Sequence, residues 1–311
     1  MSSEPRVIGF ILFVLCFVPN LGAQGSSLDI LALRERTFTG GAFVVDQNLP
    51  NGTNYRQQIV SYLSEGIKIY GLLTIPLGLQ PAKGFPAVVF VHGYIPPAQY
   101  STTKSYAGYQ ATLARSGFIT FKPDLRGHGR SEGSGNAHFS EVFTLDVLSA
   151  ISFLKNTPEV DPGRIGYWGH SNGGETGLRV LVITQDIKAA SLWAGVVGSY
   201  QDMLETWNAK IRFMRVPNAF TILHGLPKDN PDFYRGIEPH RFLDFIQAPV
   251  EIQHAQGDIS VPVELSRSLN TALKAAGKTV TYYEYTGDDH NISKNYTQAW
   301  NRTIEFFREN L

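Results

Sequence analysis

The chemistry legible in this sequence gathers around one serine. Gly169-His-Ser171-Asn-Gly173 has the form G-x-S-x-G. It lies between an apolar run, Ile165–Trp168, and a helix-like stretch, Gly173–Ile183. A strand that turns sharply into a helix brings neighbouring backbone close together, so the positions flanking the serine must be glycine or very small. The same turn sets the hydroxyl at a helix N-terminus, where developing negative charge is favoured. A short G-x-S-x-G run can arise by chance. With a strand before it and a helix after it, the run reads as a nucleophile elbow with Ser171 as the nucleophile.

A serine hydroxyl attacks poorly without a base, and the base needs a group that orients it. Val250–Gln253 leads into Gln256-Gly-Asp258-Ile-Ser-Val-Pro262, and Val280–Tyr285 leads into Gly287-Asp-Asp-His290-Asn291. Asp258 and His290 therefore sit just past two strands, in the order serine, acid, histidine expected behind such an elbow. His290 is the expected base and Asp258 the acid that fixes its tautomer. Asp288 and Asp289 adjoin His290, but sequence neighbours seldom point at each other, and they read as solvated loop charges. His170, on the elbow, is expected to pack inward. His128 and His138 lie in an upstream loop, and His224, His240 and His254 lack a strand-end setting followed by the closing helix.

The tetrahedral intermediate of acyl transfer needs two donors for its oxyanion. The N–H of Asn172 is one. The other is expected from the loop after Ala87–Val91, which reads His92-Gly-Tyr-Ile95: Gly93 permits a sharp turn and Tyr94 supplies the amide. The charged loop Asp124-Leu-Arg-Gly-His-Gly-Arg-Ser-Glu-Gly133 lacks the phosphate-cradling pattern of nucleotide sites. Asp124 and Arg126 are expected to brace neighbouring loops. No His/Asp/Glu cluster has metal-ligand spacing, so neither a metal nor another cofactor is expected.

These residues need a scaffold that brings strand ends together, and the remaining pattern describes one. Gln58–Leu63 and Ile67–Ile75 form a hairpin. Strand and helix signals then alternate. The strands are Ala87–Val91, Ile119–Phe121, Ile165–Trp168, Ala189–Trp193, Val250–Gln253 and Val280–Tyr285. The helices are Tyr106–Arg115, Phe143–Leu154, Gly173–Ile183, Val263–Ala276 and Thr297–Glu309. Such alternation predicts an α/β fold: a mostly parallel sheet with helices on both faces. Ile30 to Arg56 reads as an irregular lead-in. Residues 195–245, rich in aromatics and prolines, break the alternation and read as a small helical cap over the site.

Length and composition agree. A chain of 311 residues with 43% hydrophobic content can bury one sizeable core. Lys+Arg and Asp+Glu both number 27, which argues against a nucleic-acid partner. Arg6, the apolar run Val7–Pro19 and the small or polar residues through Ser27 read as a signal peptide over 1–25, with cleavage after Ala23 or Gly25. The apolar run is short for a membrane span. The expectation is a secreted or periplasmic protein whose single domain covers 26–311, with no stable span after cleavage. Cys16 is the only cysteine and lies in that leader, so no disulfide is expected in the mature chain. Asn51, Asn291, Asn295 and Asn301 begin Asn-x-Ser/Thr sequons. Glycans at Asn291 or Asn295 would crowd His290.

With these residues in view, the chain resembles the α/β-hydrolase superfamily, and within it the catalytic domain of the prolyl oligopeptidase family and its esterase relatives. The resemblance is carried by His92-Gly93, Asp124-x-Arg126-Gly127, Asp161-x-x-Arg164-Ile165, Gly169-x-Ser171-x-Gly173-Gly174, Gly257-Asp258-x-x-Val261-Pro262 and His290, in the family's order over residues 58–311. It implies the α/β-hydrolase fold and the triad Ser171, Asp258 and His290. It says less about substrate. The larger members carry a propeller that selects short peptides, and nothing here is long enough to be one. The His92-Gly-Tyr94 loop is also similar to that of carbohydrate deacetylases of the acetyl xylan esterase type. Cleavage of small carboxylic esters is the first expectation and cleavage of short peptides or amides the alternative. A non-catalytic binding protein or an acyltransferase on the same fold is a further alternative.

Overall fold

Nine strands form one sheet in the computed structural model, which describes residues 28–134, 141–207 and 219–311. The strands are β1 (Val44–Gly52), β2 (Tyr55–Ser64), β3 (Ile67–Pro76), β4 (Phe85–Val91), β5 (Ile119–Pro123), β6 (Val160–His170), β7 (Ile187–Trp193), β8 (Val250–Ala255) and β9 (Val280–Tyr285). Their order across the sheet is β1-β2-β3-β5-β4-β6-β7-β8-β9. The pairings from β1 to β5 by way of β2 and β3 are antiparallel; those from β5 through β4 to β9 are parallel.

Eight α-helices accompany the sheet among the described residues: α1 (Ile30–Glu35), α2 (Ala107–Arg115), α3 (Glu141–Lys155), α4 (Asn172–Ile183), α5 (Ala219–His224), α6 (Pro231–Ile237), α7 (Val263–Ala275) and α8 (Tyr296–Asn310). The central strands are covered on both faces, and their side chains divide between the two with period two. Val89 and Val91 of β4 join a core with Leu148 and Ile151 of α3, Leu181 of α4 and Leu269 of α7. Val88 and Phe90, one residue out of phase, join the opposite core with Leu113 of α2 and Trp300 and Phe307 of α8. This is why the central strands read as unbroken apolar runs rather than alternating ones.

The chain leaves β4 toward β5 on one side and later returns through α3 to β6 on the other. Strand order thus reverses at β4, and in an open α/β sheet the carboxyl ends of the strands at such a reversal, here β4 and β6, are where ligands bind. Gly93, Ser171, Asp258 and His290 all lie within five residues of the end of a parallel strand.

One expectation needs correction. The stretch 30–56 is not irregular, since it holds α1 and β1. α1 is one and a half turns long, too short for a periodic signal, and is capped by the Asp29 carboxylate, which accepts the Ala32 N–H at 3.0 Å. β1 is an edge strand whose side chains are mostly exposed, so burial leaves no alternating pattern in its sequence. The described part of 195–245 includes α5, α6 and a 3₁₀ stretch, Pro239–Phe245. Its Val196, Tyr200, Met203, Leu204, Tyr234 and Ile237 form a cluster with Val261 and Leu265, on the segment that follows Asp258. Residues 1–25, expected to be a leader and including Cys16, together with His138 and residues 208–218 of the expected cap, lie outside the described residues. No described helix is long and apolar enough to cross a membrane.

Candidate active site

Ser171 closes β6 and caps α4 with φ 56° and ψ −118°, a backbone conformation that non-glycine residues rarely adopt. Its own backbone groups hold it there. Its N–H donates to the Trp193 carbonyl at 2.9 Å, and its carbonyl accepts from Gly174 N–H at 2.8 Å and Val196 N–H at 3.0 Å. The flanking glycines are sterically required. A Cβ on Gly169 would lie 2.4 Å from the Gly173 oxygen, and one on Gly173 would lie 2.2 Å from the Val91 oxygen. Asn172 is the first residue of α4, and its N–H is among the four that an α-helix leaves without an intrahelical carbonyl.

The loop after β4 crosses this turn closely. A Cβ on Gly93 would stand 3.0 Å from the Ser171 Cβ and 2.7 Å from the Tyr106 hydroxyl oxygen. Gly93 N–H donates to that hydroxyl at 3.1 Å, so the next amide along the loop is that of Tyr94. The Tyr94 side chain is 46% exposed, at the rim. His92 turns inward and its Nδ1 lies 2.7 Å from the Gly93 oxygen; burial pushes its pKa down to about 3 and keeps the ring neutral.

Asp258 and His290 meet as the spacing implied. His290 Nδ1 lies 2.6 Å from Asp258 Oδ2, with the Asp258 side chain wholly buried and that of His290 20% exposed. The loops that carry them touch: a Cβ on Gly257 would stand 2.7 Å from the Asp288 carbonyl oxygen. His290 also lies against the elbow, its ring centroid 4.6 Å from that of His170. His170 is buried, as expected for the residue beside the serine.

One neighbour of Asp258 was missed from the sequence. His254, buried in β8, places Nε2 3.0 Å from the same Oδ2 and Nδ1 2.7 Å from Ser266 Oγ. Asp258 Oδ1 accepts the amides of Ser260 at 2.8 Å and Val261 at 2.9 Å. Burial alone would raise the Asp258 carboxyl. The hydrogen bonds from His254, His290 and the Val261 amide outweigh it and hold the group well below the usual carboxylate range. The signal for His254 is its spacing of four from Asp258, which a strand pattern hides but a tight turn after the strand folds back.

Asp289 is an exposed loop charge, as read from the sequence, but Asp288 is not. Asp288 is 4% exposed, and its carboxylate accepts the amides of Asp289, Lys294 and Asn295 and the Asn295 side-chain amide. Asp289 accepts the amides of Asn291 and Ser293. Both are consumed in shaping the turn that presents His290, because successive N–H groups of a tight loop need acceptors. The charged loop after β5 braces its surroundings. Asp124 takes hydrogen bonds from Tyr100 and Thr102, and Arg126 pairs in fork geometry with the fully buried Asp146. Among the described residues, no three His, Cys, Asp or Glu side chains are grouped to hold a metal ion.

The sequence profile of the prolyl oligopeptidase family matches residues 104–311. An uncharacterized peptidase, YtmA, of Bacillus subtilis (strain 168) is 30% identical over 237 residues, covering 76% of this chain and 86% of the relative. Among solved structures, a puromycin-hydrolyzing peptidase of Mycobacterium tuberculosis superposes with a TM-score of 0.69 at 22% identity, over 85% of this chain; the chain spans 40% of that peptidase. An acetyl xylan esterase from Paenibacillus sp. R4 superposes with a TM-score of 0.67 at 17% identity, over 91% of this chain and 92% of the esterase. These likenesses agree with the sheet order in giving the α/β-hydrolase fold.

Proposed function

The chain belongs to the prolyl oligopeptidase family and is a serine hydrolase, and on that premise we propose that it cleaves small carboxylic esters through an acyl-enzyme on Ser171. The observation that carries this reading is the 2.6 Å contact between His290 Nδ1 and the buried Asp258 carboxylate, on a loop packed against the Ser171 elbow. Asp258, as an anion, holds the His290 proton on Nδ1 and leaves Nε2 bare to take the Ser171 proton. Ser171 Oγ attacks the carbonyl carbon. The amides of Asn172 and Tyr94 receive the oxyanion, and His290 returns its proton to the departing alkoxide. Water, activated by His290, then cleaves the acyl-enzyme. The cycle uses no cofactor.

An alkoxide leaves more readily than an amide nitrogen, so ester cleavage asks less of the same catalytic groups. The near-complete overlap with an acetyl xylan esterase supports the same choice. Cleavage of short peptides is the second reading, favoured by the family match and by YtmA. A relic site that only binds ligand is disfavoured by the short hydrogen bond between His290 Nδ1 and the buried Asp258 carboxylate. The leader composition supports export to the periplasm or medium.

A fluorophosphonate probe should label the wild type and not Ser171→Ala; equal labelling of both would remove Ser171 from the mechanism. A panel of p-nitrophenyl acyl esters, acetylated sugars and aminoacyl anilides should show the highest kcat/KM on short acyl esters. Faster turnover of the anilides would select the peptidase reading. Added alcohol diverting most product to a new ester would select an acyltransferase. Mass analysis of the exported protein should find a start at Gln24 or Ser26, and an intact N-terminus would refute cleavage.

A further inference from the structure

The residues that fix the two halves of the site relative to each other are not themselves in the proposed triad. Gly93 N–H donates to the Tyr106 hydroxyl at 3.1 Å, the Tyr106 hydroxyl lies 2.6 Å from His170 Nδ1, and His170 Nε2 lies 2.9 Å from the His290 carbonyl oxygen. The proton positions follow from the partners. A carbonyl only accepts, so His170 Nε2 carries a hydrogen. Burial, and then the neighbouring His290, push the His170 pKa down to about 3, so at neutral pH the ring is uncharged and Nδ1 is bare. Tyr106 O–H must then donate to Nδ1, and its oxygen accepts from Gly93. Burial raises the Tyr106 phenol above its usual value, so the hydroxyl keeps its proton throughout the working range.

The result is a one-directional chain of donors: Gly93 N–H to Tyr106, Tyr106 O–H to His170, His170 N–H to the His290 carbonyl. It starts on the loop carrying Tyr94, passes the residue beside Ser171 and ends on the backbone of the proposed base. Tyr106 is held for this task at the N-cap of α2 with a left-handed φ of 57°, a conformation a tyrosine adopts only when its surroundings impose it.

We propose that Tyr106 and His170 are positioning residues, forming a hydrogen-bonded strap that holds the Gly93–Tyr94 oxyanion loop in register with the His290 loop across the elbow. The inference rests on Ser171 and His290 being the nucleophile and base proposed above. Without the strap each loop keeps its own backbone bonds, so the protein folds, but the oxyanion donors and the base no longer face one reacting carbonyl.

The test compares Tyr106→Phe, His170→Leu, His170→Gln and the double variant Tyr106→Phe/His170→Leu, using p-nitrophenyl acetate turnover, fluorophosphonate labelling and thermal unfolding. Tyr106→Phe and His170→Leu should each lower kcat by about tenfold or more while KM stays within about threefold, the split expected when only the transition state loses support. The double variant should lose little beyond the worse single change, because both break one network. His170→Gln offers an N–H to the His290 carbonyl and an oxygen to Tyr106, and should recover most of the loss. Wild-type kcat in Tyr106→Phe, multiplicative losses in the double variant, or His170→Gln as slow as His170→Leu would each overturn the strap. Should His170→Leu not fold, Tyr106→Phe and His170→Gln decide alone. If Ser171→Ala is labelled like the wild type, the proposed mechanism falls and the strap falls with it. If labelling depends on Ser171 and Tyr106→Phe turns over normally, only the strap is wrong.

Discussion

Replacing Asp258 by asparagine keeps the shape of the side chain and reverses the polarity of one atom. The two carboxylate oxygens have different partners. Oδ1 accepts the Ser260 and Val261 amides, and Oδ2 faces His254 Nε2 and His290 Nδ1. Asparagine must keep its oxygen toward the two backbone amides, since an NH2 there would meet two donors. Its NH2 therefore takes the place of Oδ2 and points at both imidazoles. His290 can accept that hydrogen only with Nδ1 bare, which moves its proton to Nε2, the atom that must be bare to take the Ser171 proton. The variant loses the base itself. The expected fall in kcat is about 10,000-fold, the size seen where a triad aspartate elsewhere is changed to asparagine, or roughly 5.5 kcal/mol of transition-state stabilisation at about 1.36 kcal/mol per tenfold. Stability should fall much less, by about 1–2 kcal/mol, the scale of one disturbed buried hydrogen bond. His254 Nε2 keeps the Val261 carbonyl at 3.1 Å as an acceptor. Steady-state turnover of p-nitrophenyl acetate, with unfolding in urea run alongside, measures both. A loss of kcat below tenfold in a folded variant would refute the assignment of Asp258. It would not transfer the role to Asp288, both of whose oxygens are taken by loop amides, nor to Asp289, whose Oδ1 is taken by the Asn291 and Ser293 amides.

Gly173→Ala would drive a Cβ to 2.2 Å from the Val91 oxygen, at the root of the oxyanion loop. It should destabilise the fold by about 1–3 kcal/mol and lower kcat by about 100-fold or more through displaced donors; wild-type turnover would contradict the close approach. His254→Leu removes one donor to Asp258 and leaves Ser266 Oγ without its partner, so kcat should drop about tenfold by loss of orientation, and an unchanged kcat would make His254 purely structural. Arg126→Ala leaves the buried Asp146 carboxylate without a cation, with only the Ser64 hydroxyl and the backbone N–H of residue 126 as donors, and urea unfolding should record a loss of about 3–5 kcal/mol; a loss below 1 kcal/mol would mean that those donors or water suffice for the charge. The Asp258 carboxyl is held below its ordinary 3.8 in the fold, so its ionised form contributes stability that is fully present above that value and is lost as pH falls below it. The Tm gap between wild type and Asp258→Asn should therefore be wider at about pH 7 than at about pH 3, and a gap that widens on acidification would reverse the sign of that shift.

What could be read from the sequence, and what could not, divides by the range of the constraint. The central strands were legible because burial on both faces demands a continuous apolar run, and Ser171 because the glycines on either side answer close approaches, Gly169 to the Gly173 carbonyl within the turn and Gly173 to the Val91 carbonyl of β4. Asp258 and His290 followed from topology alone, since parallel strands deliver their carboxyl ends to one edge. β1 left no trace because an exposed edge strand is held by backbone pairing that any side chain permits.

The supports of the site are a different matter, since they join positions that no period relates. His170 reaches its partners across 64 and 120 residues, and the Ser171 conformation depends on the carbonyl of Trp193 and the amide of Val196. A left-handed serine at φ 56° has a conformational cost of order 1–3 kcal/mol. Only the three backbone bonds that close on Ser171, one of them from Gly174 inside the turn, hold it in place. The sequence shows the glycines that permit that turn, but two of the three bonds that enforce it come from β7 and the loop after it. Reactive groups sit at ends of elements and are marked by local chemistry. The groups that aim them sit on other elements, where only the folded chain brings them within hydrogen-bonding distance.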